Sequence, residues 1–145
     1  LVSLRTLPNA LKAALKLIPK KAHPMDVLRT ATSFLGTIEP EQNPSLEQIK
    51  IAERLLALYP SILLYWFHYH QTGVEIDTEV KNEHSIAGQF LTMLHQKQPE
   101  PLMKKTLDVS LILYAEHEFN ASTFAARVTA ATLSDFYSAI TSAIG

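Results

Sequence analysis

The chain has 145 residues, of which 47% are hydrophobic and 19% charged, enough apolar material for a core and too little charge for a disordered segment. A net charge of −1 provides no basic footprint for nucleic acid or an anionic membrane surface, so neither is expected as a partner. The absence of cysteine excludes a disulfide frame and a thiolate metal site, and it fits a cytoplasmic protein. The longest apolar run, residues 62–67, is far shorter than the roughly 20 residues of a membrane-spanning helix.

The predicted elements are all helical. Glycine is scarce and no alternating run with hairpin turns appears. Thr6-Leu7-Pro8 leads into a first helix whose face is Leu11, Ala14, Leu15 and Ile18, and Pro19 ends it. His23-Pro24 opens a second, with Leu28, Ala31 and Leu35 as its stripe and Gly36 as its stop. Residues 37–43 read as a polar loop. Pro44 begins a third helix with Leu46, Ile49, Ala52, Leu55 and Leu56 on one face, and Pro60 predicts a kink or restart. Residues 62–67 are apolar all round, as in a helix buried on every side.

A second polar loop spans 73–82. Residues 84–96 are amphipathic, with Ile86, Phe90, Leu91 and Leu94 expected inward, and Pro99 and Pro101 break the pattern. A longer helix follows from Leu102 through Tyr114, then a short polar segment at 116–120. Helices over 121–131 and 134–144 complete the chain, with Asn120 and Ser134 as their capping candidates. No fixed-period repeat and no internal domain boundary is visible. The opening Leu1-Val2 and the closing apolar stretch from Ala139 to Gly145 read as the two cut ends of a single partial domain, residues 1–145.

The histidines divide by context. His68 and His70 lie two apart, so on a helix they do not face one another and do not form a metal pair. Packing near a helix end accounts for both. His23, His84 and His95 fall at expected helix termini, where orphan backbone groups need partners. Four scattered glycines build neither a phosphate loop nor a dinucleotide turn, and no nucleophile elbow is present. The segment 113–123 differs from the rest: ionisable groups crowd a break between two apolar helices, and His117 stands between Glu116 and Glu118. Neighbouring carboxylates favour a charged imidazole, which suits either an anionic ligand or a helix cap paired with an acid.

The run Glu116-His117-Glu118-Phe119-Asn120-Ala121-Ser122-Thr123 resembles the oxaloacetate-binding segment of the citrate synthase family. His23-Pro24-Met25, the stretch from Ser85 to Leu91 and the stretch from Ser134 to Ile140 line up in the same order, so the resemblance covers essentially the whole chain. Within the family, the aromatic stretch from Leu64 to His70 and the residues around His117 look most like 2-methylcitrate synthases.

The resemblance implies an internal part of a large multi-helical domain from a homodimeric enzyme. That enzyme would condense an acyl-coenzyme A with oxaloacetate, without a tightly bound cofactor or metal. It implies propionyl-coenzyme A as the donor, with acetyl-coenzyme A as the alternative, and it makes His117 a ligand of oxaloacetate. Asn120 matches the family segment too but is assigned to capping, and Arg127 matches no substrate arginine. The family's catalytic histidine lies in a Gly-Pro-x-His-Gly-Gly segment that is not among these 145 residues, so no catalytic residue is assigned. The subunit contact is expected through apolar helices at 24–35, 103–116 and 121–131. A non-catalytic helical interaction module is the rival reading, since it too explains apolar helices without acid, base or phosphate motifs.

Overall fold

A computed structural model describes residues 1–116 and 118–145. A short 3-10 turn, Val2–Leu4, precedes seven helices: α1 Asn9–Leu17, α2 Pro24–Ile38, α3 Pro44–Thr72, α4 Ile86–His95, α5 Pro101–Tyr114, α6 Ala121–Ala131 and α7 Phe136–Ile144. No strand occurs among the described residues, as the all-α expectation required.

Prolines and polar caps set the helix starts. Pro24, Pro44 and Pro101 occupy the first turns of α2, α3 and α5, where a missing N–H costs nothing. His23 Nδ1 accepts from the Met25 amide at 3.2 Å, and Asn43 Oδ1 accepts from the Ser45 amide at 3.1 Å. At α7 the cap is Asp135, whose carboxylate accepts from the Ser138 amide at 2.9 Å; Ser134, the expected cap, lies one residue too early. Gly36 does not stop α2, which continues to Ile38. Gly73 does stop α3, in the left-handed region at φ 73°, which glycine adopts without steric cost.

The long helix α3 is the axis. The 3-10 turn, α1, α2, α4 and α7 all pack on it. Its inward stripe is Ile51, Leu55, Leu58, Ile62 and Tyr65, all buried. Of the stripe expected from sequence, Leu55 is buried and Ala52 half-buried, while Leu46, Ile49 and Leu56 are 72%, 75% and 51% exposed. The α3 helix also runs unbroken through Pro60, where a kink or restart was expected. A proline inside a helix costs about 3 kcal/mol. Burial of Pro60, Ile62, Leu64, Tyr65 and Trp66 on both sides of the core offsets that cost, at about 1.5–3 kcal/mol for each large apolar side chain. Phe67, at 38% exposure, is where the buried run ends.

The same packing places the histidines. His68 Nε2 meets the Met93 carbonyl at 2.9 Å, towards α4, and His70 Nε2 meets the Leu15 carbonyl at 3.5 Å, towards α1. The two rings diverge, as their spacing required. On α4 the fully buried residues are Ala87, Gly88, Gln89, Leu91 and Met93. Of the four expected inward, Leu91 is buried and Ile86, Phe90 and Leu94 are half-buried. The α2 stripe, Val27, Leu28, Ala31 and Leu35, is buried within this chain. Pro24, Met25, Arg29, Thr30 and Ser33 stay exposed, so α2 keeps an outward side besides its buried stripe.

Two helices stand apart. α5 packs only on α4, and α6 only on α7. Neither contains a buried residue, and Leu102, Ile112, Leu113, Phe124 and Val128 are all at least half exposed. The two helices flanking 116–120 thus present their apolar faces outward.

Gly88 is required by close approach, since a Cβ there would overlap the carboxyl group of Glu83. Gly88→Ala is expected to destabilise the chain by about 1–3 kcal/mol through overpacking. A lower urea midpoint with an unchanged slope is the expected reading, and an unchanged midpoint would show that Glu83 can move aside.

Candidate functional site

α5 starts on Pro101, and its first turn is tied down by Lys104. The Lys104 ammonium donates to Glu83 Oε1 at 2.6 Å. Glu83 is only 6% exposed. Its carboxylate also accepts from the Ser85 amide at 3.1 Å and the Ser85 hydroxyl at 3.2 Å. Burial by itself would raise its pKa. The hydrogen bonds from Lys104 and Ser85, with the Lys104 charge, outweigh burial and hold the carboxyl below its ordinary 4.5.

Arg5 locks the backbone around this carboxylate. It is 1% exposed and donates to the carbonyls of Val80 at 3.1 Å, Glu83 at 2.5 Å and Ser85 at 3.4 Å. Burial lowers its pKa, and the Glu83 charge acts the other way. The second polar loop, 73–82, therefore runs directly into a buried ionic block at Glu83. Contacts spanning 75 to 80 residues leave no local signal in a sequence.

At its other end α5 gives way to the candidate segment. Glu116 Oε1 accepts from the Glu118 amide at 2.6 Å, closing a tight turn. Glu118 and Phe119 both adopt positive φ, 60° and 47°. Asn120 then caps α6, its Oδ1 accepting from the amides of Ser122 at 2.8 Å and Thr123 at 3.4 Å. The capping role expected of Asn120 is thus met. His117, the one residue assigned to substrate binding, lies outside the described residues.

Beside this turn is a concavity of about 790 Å³ lined by Glu116, Glu118, Phe119, Asn120, Thr123 and Arg127, among others. Arg127, set aside in the sequence reading, therefore faces the same space as the candidate segment. It is the cationic side chain among the described lining residues. A guanidinium can hold a carboxylate through two parallel N–H donors; here Arg127 shares the space with the carboxylates of Glu116 and Glu118. Among the described residues no group of three or more histidines, aspartates or glutamates is arranged to hold a metal.

Comparison with known proteins accords with this geometry. The sequence model described as citrate synthase, C-terminal domain, matches residues 1–145. The chain belongs to the citrate synthase family. It is 57% identical to the 2-methylcitrate synthase of Shewanella oneidensis over 145 residues, covering 100% of this chain and 38% of that protein. The crystal structure of citrate synthase from Thermotoga maritima superposes with a TM-score of 0.80 at 33% identity, over 99% of this chain and 36% of that one. A ternary complex of carboxymethyl coenzyme A and oxaloacetate with the citrate synthase of Thermoplasma acidophilum shares the fold, with a TM-score of 0.81 at 23% identity, over 96% of this chain and 36% of that one. The chain thus spans about two-fifths of the length of the family members it matches. No helix among the described residues is long and apolar enough to cross a membrane.

The Asn120 cap can be tested directly. Asn120→Ala should cost about 1 kcal/mol of stability by leaving the Ser122 and Thr123 amides without their acceptor. Urea unfolding with unchanged stability would show that another group caps α6.

Proposed function

We propose that these residues form part of an enzyme that condenses propionyl-coenzyme A with oxaloacetate and water, giving 2-methylcitrate and coenzyme A. The observation that carries this reading is the 57% identity to a 2-methylcitrate synthase along all 145 residues. In this reaction a carboxylate takes the α-proton of the thioester. The resulting enolate carbon attacks the ketone carbon of oxaloacetate, and the ketone oxygen takes up the negative charge. Water then cleaves the thioester and frees coenzyme A.

In this reading the chain's part is to hold oxaloacetate. His117 binds the dianion and donates to the ketone oxygen, a contact that strengthens as the oxyanion develops. The proton-abstracting carboxylate and the histidine serving the enolate oxygen match no motif in this chain. Substrate binding, not proton transfer, is therefore the function assigned to these residues. Oxaloacetate and the acyl thioester are the small-molecule partners, and no tightly bound cofactor is called for.

His117→Ala in the whole enzyme should raise the KM for oxaloacetate and lower kcat, because the lost contact is stronger in the transition state than in the ground state. Unchanged kinetic constants with a sharply lower Tm would make His117 a structural residue instead. The acyl donor is decided by assaying both thioesters. A kcat/KM favouring propionyl- over acetyl-coenzyme A, within the roughly 10–200-fold that one methylene supplies, is the expected outcome. A preference for acetyl-coenzyme A would reassign the enzyme to citrate synthesis.

The outward apolar faces of α5 and α6 support self-association of these 145 residues. Light scattering should show species larger than a monomer at high concentration. A monodisperse, folded monomer would count against contact through these two helices.

A further inference from the structure

We propose that Pro60 is a hinge in α3 and that the buried side-chain amide of Gln89 is the latch that keeps the helix closed across it. Pro60 has no N–H, so the Leu56 carbonyl one turn earlier has no helical donor, and the proline ring crowds that turn. Sharp bends in helices occur at such positions. α3 nevertheless runs unbroken from Pro44 to Thr72. The Gln89 amide reaches in from α4 and touches α3 on both sides of the proline. Its Nε2 donates to the Ala57 carbonyl at 3.4 Å, before Pro60, and to the Ser61 hydroxyl at 3.0 Å, directly after it. Ser61 Oγ in turn donates to the Thr78 carbonyl at 3.2 Å.

Apolar burial keeps α3 from breaking but does not fix its angle at Pro60. Apolar contact is non-directional, and a modest bend there has no Leu56 hydrogen bond to break. The two halves of α3 are also anchored to different elements. Before the proline, Arg54 donates to the Leu4 and Thr6 carbonyls, and the Tyr59 hydroxyl lies 3.3 Å from that of Thr32 in α2. After it, Trp66 donates to the Ile18 carbonyl at the end of α1, and His68 meets the Met93 carbonyl of α4. Pro60 stands where these two sets of anchors meet. Ala57, Ser61, Thr78 and Gln89 are all buried by this chain itself, Ser61 and Gln89 completely. Their hydrogen bonding is therefore set by the residues described, whatever the rest of the protein covers. Gln89 Oε1 is buried with no partner among the described residues. A leucine would leave no acceptor unpaired, so filling the core does not account for an amide at this position. The two bonds from its nitrogen do.

The test uses the whole protein with Gln89→Leu and Ser61→Ala, each alone and each combined with Pro60→Ala. The readout is amide hydrogen exchange resolved along α3, beside Tm. Gln89→Leu is expected to speed exchange at 57–64 by about ten-fold or more, as the loss of two hydrogen bonds would, with 46–52 unchanged. Ser61→Ala, which removes the contact after the proline, should give a smaller acceleration at the same residues. In the Pro60→Ala background the Leu56 carbonyl regains a donor, and both accelerations should fall to about two-fold or less, the sign of coupling between the sites. Unchanged exchange in Gln89→Leu and Ser61→Ala overturns the latch. Equal acceleration with and without Pro60 overturns the hinge and makes Gln89 an ordinary core contact. Acceleration spread evenly over α1, α2 and α3 is a loss of global stability and also overturns the proposal. If Gln89→Leu does not fold, Ser61→Ala with and without Pro60→Ala decides by the same comparison.

Discussion

The buried stripe of α3 is the constraint from which the rest of the chain is built. Ile51, Leu55, Leu58, Ile62 and Tyr65 repeat at helical spacing and keep one side of a 29-residue helix out of water. Leu11 and Leu15 of α1, the α2 stripe, and Tyr137 of α7 close on that side. Polar contacts then tune the fit: Trp66 Nε1 donates to the Ile18 carbonyl at 3.3 Å, and Arg54 holds the carbonyls of Leu4 and Thr6 at 2.6 and 3.0 Å. This body explains why α3 tolerates Pro60. The cost of one missing helical hydrogen bond is small beside the apolar area that would be exposed if the helix broke there.

Burial declines with distance from α3. α4 packs on it directly, α5 only on α4, and α6 only on α7. The candidate segment joins the two helices furthest from the axis, so it inherits its position through intermediaries.

The elements that the sequence revealed are those with local causes. Proline at the first turn, a polar cap and a glycine in the left-handed region act within four residues, and the starts of α2, α3 and α6 and the end of α3 follow from them. Where a longer range decides, local reading fails. Leu46 and Ile49 fit a helical stripe as well as Ile51 and Leu58 do, and only the position of α1, α2 and α4 chooses between them. The Arg5–Glu83 block was illegible because its partners lie nearly 80 residues apart. Arg127 was legible only as a residue on a helix; the turn of the chain at 118–119 is what brings it round to the candidate segment.

That turn is itself informative. Two consecutive non-glycine residues at positive φ cost roughly 1–2 kcal/mol each. Phe119 recovers nothing locally, since its ring is wholly exposed. The Asn120 cap and the Glu116–Glu118 hydrogen bond contribute about 1 kcal/mol apiece. Local interactions thus offset the strain at best. A glycine at either position would relieve it, yet the chain carries Glu118 and Phe119 there. Strained non-glycine backbone collects where a ligand or a partner surface needs a particular geometry. The same turn carries a side chain projecting fully into solvent and borders a concavity lined by Glu116, Glu118 and Arg127. The strained backbone of 118–119 is therefore a feature of this turn that its own local contacts do not account for.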